Sequence, residues 1–436
     1  MIFILDIILG LNLLWAYKSF KNVISPPFLV GSGLFLASLV ATSYYKGWKI
    51  DQLTPETVFI IGFGSLFFTL SCNSFKKQYI FDSNYGTNYN FDLQKFYMTR
   101  IKHLLIFLII FGMFTCYYKI QEYIKFFGNN DLSELLFLRR LDEVNNENKF
   151  QLPLFLSICS KFLNGISYFI AWICSLLLLS NHKYKLNIIL CIIVEILAIL
   201  NGLADGNKGN GMALLMTYII IFYYMLSIQK RKFVLNTKYF IIGIVSLFVF
   251  ILLFDTFNES IGRQLDTKNK SNLFAIYIGA EIKNFDLYIQ DQSDHFILGQ
   301  ESLEYVMPQL IEIHRKAVEV FQYQHIGTYE LGNVYTMFYS YHLAFGIVGV
   351  FIITFIVSSI AMYFYNKTFS SLNNPYKINI YLLLYANCAI LLFMSFFSAR
   401  FSDVVFTFNF IAKVIILYII KYFLTKFVLR RDIIKN

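Results

Sequence analysis

Apolar runs of about twenty residues recur along the chain, separated by shorter polar segments. A helix needs roughly 20 apolar residues to cross the hydrocarbon core of a bilayer. The pattern therefore predicts an all-α polytopic membrane protein with about eleven transmembrane helices. These predicted spans are 2–17, 27–45, 57–72, 103–120, 152–180, 186–204, 212–227, 239–254, 334–364, 378–397 and 404–424.

One polar region is too long to be a simple connection between spans. Residues 255–333 divide the chain into eight spans with short loops (1–254), a large loop, and three spans with a basic tail (334–436). Within this loop, apolar residues fall at helical spacing over 274–289 and again after Pro308, with charged residues between them. The loop is therefore predicted to hold two amphipathic helices, each with one face against the membrane domain or the membrane surface.

Composition and charge support this class of protein. The chain is 57% apolar and 15% charged, whereas soluble domains are nearer half apolar and a quarter charged. The net charge of +10 does not predict a nucleic-acid partner, because the cations lie in short loops, where they orient helices. Their distribution predicts an extracytoplasmic N-terminus, a cytoplasmic C-terminus and an extracytoplasmic 255–333 loop.

Metal and disulfide chemistry is not predicted. None of the six cysteines belongs to a CxxC motif, and none lies in the large loop. Disulfide frameworks and zinc sites usually show closely spaced cysteines, as in a CxxC motif. No D-x-D motif or His/Asp cluster is present either, so we expect neither a metal ion nor a cofactor.

Several cations are predicted to lie at extracytoplasmic helix ends. Lys208 sits in the turn DGNKGNG, where small residues expose backbone N–H groups to an anion. Arg263 follows the eighth predicted span, and Arg400 lies between the last two. A guanidinium can donate two parallel hydrogen bonds to the oxygens of one phosphate group. A solvated turn lysine or an interface-anchoring arginine explains each residue singly about as well. Together they predict a pyrophosphate clamp, to which Arg139 and Arg140 of another outside loop could contribute.

A more specific signal lies in the segment 325–349, HIGTYELGNVYTMFYSYHLAFGIVG. It resembles the N-x-Y-T…FG-x-x-G signature of the bacterial O-antigen polymerase (Wzy) family, and the matching residues are Asn333, Tyr335, Thr336, Phe345, Gly346 and Gly349. DGNKGNG is similar to a Gly-Ser-Arg-Gly-like turn of that family, with Lys208 where arginine is usual. Some members also carry an Arg-x10-Gly motif. Its nearest counterpart here is Lys316-x10-Gly327, with Arg315 one residue out of register.

The resemblance implies a GT-C-type membrane fold and a function at the periplasmic face of a bacterial inner membrane. It implies block glycosyl transfer between undecaprenyl-pyrophosphate-linked repeat units during lipopolysaccharide O-antigen synthesis. A flippase and a chain-length regulator of the same pathway would be partners, besides the lipid bilayer. The cations, with Asn333 and Tyr335, would bind the donor. The general base would be His325, or else Glu330 or Asp403, although an ordinary surface-loop histidine is the more frequent explanation of a residue such as His325.

Two other functions stay open at this point. A lipid-linked oligosaccharide flippase is a transporter, for which short loops on both sides and cations inside a central cavity would be expected. An O-antigen ligase shares a large late periplasmic loop and a similar entry of His and Asn into the following span. The length of the 255–333 loop argues against the flippase. The eight-residue separation of His325 and Asn333 favours the polymerase over the ligase.

Overall fold

In the computed structural model the protein is mostly helical. The structure describes residues 1–79, 91, 93, 96–145, 150–180, 184–204, 208–233, 273–291, 323–370 and 378–428. The α-helices of these residues are α1 (Ile2–Phe20), α2 (Pro26–Ser43), α3 (Pro55–Ser74), α4 (Met98–Phe127), α5 (Leu132–Asn145), α6 (Leu154–Leu179), α7 (Lys185–Leu203), α8 (Lys208–Lys230), α9 (Leu273–Gln290), α10 (Met337–Phe369), α11 (Ile380–Phe393), α12 (Arg400–Val405) and α13 (Phe408–Val428). Two 3₁₀ helices, Ile50–Gln52 and Met394–Phe396, and two strands, β1 (Gln324–Ile326) and β2 (Tyr329–Gly332), complete the described elements.

Nine helices within the described ranges are long and apolar enough to cross a membrane: α1–α4, α6–α8, α10 and α13. A shorter apolar helical segment, Ile380–Phe396, consists of α11 and the 3₁₀ turn Met394–Phe396 that follows it. The prediction of a helical, multi-pass membrane protein is thus confirmed. Each predicted span in the described ranges overlaps one of these helices, and the predicted span 239–254 lies outside the described residues.

Helices α4, α6 and α7 alternate in direction and α1 and α3 run parallel to each other, as side-chain bonds between their ends show. At one end, Lys119 Nζ of α4 donates to the Asn201 carbonyl of α7 over 2.9 Å, and Ser160 Oγ of α6 donates to Asn201 Oδ1 over 3.1 Å. At the other end, Lys76 Nζ, just after α3, donates to the Ser19 carbonyl near the end of α1. We call the end that holds α9 and α12 the loop end, and the opposite one, where α13 terminates, the tail end.

Helix α9 confirms the first helix predicted in the large loop, but the polar face expected for it is wrong. Glu281, Lys283 and Asp286 are all buried, because α9 packs against α2, α3 and β2 instead of lying on a surface. Gly279 permits this approach, since a Cβ atom there would lie 2.7 Å from Val40 Cγ1 of α2. The second helix predicted after Pro308 lies outside the described residues.

The loop end also contains a β-hairpin, which the sequence did not predict. Strands β1 and β2 pair antiparallel around the two-residue turn Gly327–Thr328. Gly327 has a φ of +60°, as a two-residue hairpin turn with glycine at its first central position requires. The large loop is therefore not wholly helical.

The FG-x-x-G part of the sequence signature marks a break in α10. Phe345 has a φ of −143° and Gly346 a φ of +63° with a ψ of −156°, a combination open almost only to glycine. A Cβ atom on Gly349 would lie 2.7 Å from the Tyr341 carbonyl oxygen. These two glycines allow the first turns of α10 to change direction and pack closely over the rest of the helix.

Candidate functional site at the loop end

The hairpin brings two of the three predicted general-base candidates together. His325 on β1 is the cross-strand partner of Glu330 on β2. Directly opposed residues have Cβ atoms about 4.5–5.5 Å apart and share one face of a sheet. His325 is exposed and Glu330 half-buried, and the ring of Tyr323 lies 5.4 Å from that of His325. This imidazole is accessible, with a carboxyl group as its cross-strand neighbour.

Tyr335 joins the hairpin to α10. Its ring stacks on Tyr339 of α10 with centroids 4.2 Å apart, and its hydroxyl accepts a hydrogen bond from Gln324 Nε2 of β1 over 3.2 Å. Burial raises the pKa of Tyr335, and the bond from Gln324 opposes that shift. Asn333, two residues earlier, is exposed. Tyr335 is therefore a neutral, buried link, whereas Asn333 is the member of the motif that a ligand could reach.

Helix α9 supports the hairpin through one amide side chain. Asn284 Nδ2 donates to the carbonyl oxygens of Leu331 over 3.0 Å and of Val334 over 2.8 Å. Both carbonyls belong to the stretch that runs from β2 towards α10. A single buried asparagine thus fixes the hairpin relative to α9.

A buried ion pair fixes α9 in turn to α3. Lys283 Nζ lies 2.7 Å from Asp286 Oδ2, and both side chains are essentially inaccessible to solvent. Asp286 Oδ1 accepts bonds from the backbone N–H of Thr54 over 2.8 Å and from its hydroxyl over 2.9 Å. Since Thr54 precedes the first turn of α3, Asp286 caps that helix from another element. Sequence reasoning missed this network, although the i,i+3 spacing of the two charges was visible.

Glu281 is a second feature that the sequence analysis missed. Its side chain is fully buried, and neither carboxyl oxygen has a hydrogen-bond partner in the described part of the chain. Burial raises the pKa of Glu281 well above its usual range. One turn before it, Tyr277 stacks on Phe397, and one turn after it, Phe285 meets the edge of the His342 ring. The loop end therefore contains a buried carboxyl group on the inward face of α9, and burial disfavours its charged form.

Arg400 and Asp403 lie on α12, in the connection between the predicted spans 378–397 and 404–424. Arg400 is exposed at the first position of this short helix, and its guanidinium lies 5.2 Å from the Phe397 ring. Asp403 is half-buried. Because Phe397 also stacks on Tyr277 of α9, a continuous set of contacts leads from Arg400 to α9 and on to the hairpin.

Arg139 belongs to a different part of the loop end. It forms an ion pair with Asp142 at 3.3 Å and lies 5.7 Å from the Phe150 ring. Phe150 packs with Tyr123 and Leu135 in a separate small hydrophobic cluster between α4 and α5. Arg139 therefore has local structural contacts, and the described contacts do not join it to Arg400.

The other predicted binding residues fall wholly or partly outside the described residues. Lys208 is the first residue of α8 and Arg140 lies in α5, and the side chains of both are outside the description. Arg263, Arg315 and Lys316 are outside it entirely.

Buried polar groups at the ends of α4, α6 and α7 were also missed. Lys119 is inaccessible to solvent, and its ammonium bonds to the carbonyl and side-chain oxygens of Asn201. Asn201 Nδ2 in turn donates to Asn164 Oδ1 over 2.9 Å. Apolar flanks concealed these residues in the sequence.

No triplet of His, Cys, Asp or Glu suited to a metal ion is found within the described ranges. No protein-family model, curated protein or solved structure matches the chain. The functional argument therefore depends on the residues themselves.

Proposed function

We propose that this protein polymerises undecaprenyl-pyrophosphate-linked O-antigen repeat units by block glycosyl transfer at the periplasmic face of the inner membrane. The observation that carries the proposal is the hairpin. It holds an exposed histidine opposite a carboxyl group, directly before the motif that resembles the polymerase family. The helix break at Gly346 gives the FG-x-x-G residues of that motif a structural reason.

The proposed reaction joins two lipid-linked glycans. A hydroxyl oxygen of the acceptor attacks the anomeric carbon of the donor glycan as the bond from that carbon to the pyrophosphate breaks. His325, or Glu330 beside it, takes the hydroxyl proton. The electron pair of the broken bond leaves with undecaprenyl pyrophosphate. Arg400, with Lys208 and Arg263, stabilises the charge that develops on that leaving group.

The lipopolysaccharide ladder of a deletion strain tests the proposal and separates it from the ligase. Loss of a polymerase leaves single repeat units on the lipid A core, whereas loss of a ligase leaves bare core. Loss of a flippase also leaves bare core, because repeat units never reach the periplasm. Single repeat units in the deletion strain, and a full ladder after complementation, support the polymerase. Bare core overturns it.

The proposal requires the loop end to face the periplasm. This orientation is supported by the cations at the tail end of α8, which are Lys230, Arg231 and Lys232. Lysine and arginine collect in the cytoplasmic loops of bacterial membrane proteins. An alkaline phosphatase fused after Gln290 at the end of α9 should be active, and one fused after Lys232 should be inactive. The reverse result would place the proposed site in the cytoplasm and exclude this function.

A further inference from the structure

A cavity at the membrane-facing surface of the bundle lies between α4, α6 and α13. Its volume is about 530 Å³, within the range of small-molecule sites. Phe162 and Ile166 of α6 and Ile420 and Leu424 of α13 form its apolar wall. The position is far from the hairpin, so the cavity is independent of the proposed polymerase site.

The cavity extends along the helices from the middle of the membrane domain to the tail end. Its inner part lies beside the contact of Ile420 with Gly165, where a Cβ atom would be 3.1 Å from Ile420 Cδ1. Its other part is bordered by Arg100, two residues after α4 begins, and by Lys426, two residues before α13 ends. One end is therefore entirely apolar and the other carries two cations.

Both cations rest on aromatic rings and keep their charge available. The Arg100 guanidinium lies 4.1 Å from the Tyr97 ring and 5.9 Å from the Phe427 ring, and Lys426 Nζ lies 4.1 Å from the Tyr422 ring. Both side chains are exposed, and no carboxylate of the described chain pairs with either. Lys426 Nζ also donates a hydrogen bond to the Tyr422 hydroxyl over 2.5 Å. A contact with an uncharged aromatic side chain orients a cation without neutralising it, so the pair can still bind an anion.

We propose that this cavity is a binding site for an anionic phospholipid. Its phosphate lies between Arg100 and Lys426, and an acyl chain lies along Ile166, Ile420 and Phe423. Two cations at a tail-end groove favour a headgroup with a net negative charge over a zwitterionic one, whose own ammonium already compensates the phosphate. Basic pockets between transmembrane helices on the cytoplasmic side bind such lipids by this charge complementarity.

Native mass spectrometry of the purified full-length protein tests the proposal. Phosphatidylglycerol and phosphatidylethanolamine with the same acyl chains are added at equal concentration, and retained lipid is counted. Phosphatidylglycerol should be retained preferentially. The double variant Arg100→Gln/Lys426→Gln should weaken it about thirty-fold, because each cation near an anionic headgroup contributes about a factor of five.

A matched control removes the same charge elsewhere at the tail end. Lys18 is exposed near the end of α1, and Lys367 near the end of α10 lies 5.8 Å from the Tyr363 ring. Lys18→Gln/Lys367→Gln should keep the preference for phosphatidylglycerol. If this control loses it equally, the attraction is a general surface effect and the proposal is wrong.

A cavity-filling variant tests the apolar part with both cations intact. Ile419 lines the cavity and is 52% exposed, so Ile419→Trp can fill the space without disturbing the buried core. It should reduce retention of phosphatidylglycerol, and unchanged retention would show that no acyl chain occupies the cavity.

Equal retention of both lipids by the native protein, or a lipid-free dimer as the main species, would overturn the proposal. If the double variant does not fold, the exposed single variant Lys426→Gln gives the same test with about a fivefold effect.

Discussion

His325 and Glu330 face each other across the hairpin as directly paired residues of β1 and β2. They are five positions apart in sequence, and only the tight turn at Gly327 makes them neighbours. An imidazole with a carboxyl neighbour is a common arrangement for a general base, because the carboxylate stabilises the imidazolium that forms. The pair therefore gives the proposed proton acceptor a defined position on the surface of the loop end.

We expect His325→Ala to shorten the lipopolysaccharide ladder to one or a few repeat units, because loss of a general base costs about 10²–10⁴ in rate. Glu330→Gln should have a smaller effect, since it removes support for the imidazole and not the proton acceptor. Thr328→Ala, at the exposed turn of the same hairpin, is the control and should give the native ladder. A native ladder from His325→Ala with loss in the Glu330 variant would transfer the role to the carboxylate.

The guanidinium of Arg400 should matter for its geometry as well as its charge. Arg400→Ala is expected to abolish long chains while protein levels in the membrane stay normal, and Arg400→Lys should restore them only in part, because lysine lacks the paired donors. Lys125, exposed at the loop end of α4, provides the control, and its alanine variant should polymerise normally. Normal chains from Arg400→Ala would remove Arg400 from the proposed pyrophosphate site.

The buried pair on α9 makes a prediction about stability. Removing one member of a buried ion pair typically costs about 3–5 kcal/mol. Asp286→Ala should lower the melting temperature in detergent more than Lys283→Ala does, because Asp286 also accepts both bonds from Thr54. If Lys283→Ala is the more destabilising of the two, the cap on α3 contributes little.

Because Glu281 is buried, we expect the thermal stability of the protein to depend on pH. Since burial raises its pKa in the folded protein, its favourable contribution is complete below the unfolded pKa of about 4.3 and is lost as the pH rises through the folded pKa. Glu281→Gln should therefore melt at a higher temperature than the native protein, by a margin that grows from pH 5 to pH 8. Glu56→Gln, at an exposed position, should match the native protein at each pH. A margin that does not depend on pH would show that Glu281 does not titrate in this way.

The spans and the helix α9 could be predicted from the sequence because apolar length and helical periodicity are local properties. The burial of Lys283 and Asp286 could not, since it depends on how closely Gly279 approaches Val40 of α2. The pairing of His325 with Glu330 depends on a short hairpin, in which β1 has three residues and β2 has four. Such a short alternation is too weak a signal among long apolar runs. Glu281 was hidden for a further reason: a charged residue between apolar ones is normally exposed.

Purified protein in vesicles, supplied with undecaprenyl-pyrophosphate-linked repeat units, gives the most direct test of the proposed function. The account predicts lipid-linked products of two, three and more repeat units, with one undecaprenyl pyrophosphate released for each new glycosidic bond. The Arg400→Ala variant should form no long chains, and the initial rate of the His325→Ala variant should be about 10²–10⁴-fold lower than that of the native protein. Repeat units that remain single in the presence of folded native protein, or that cross the vesicle membrane without being joined, would contradict it.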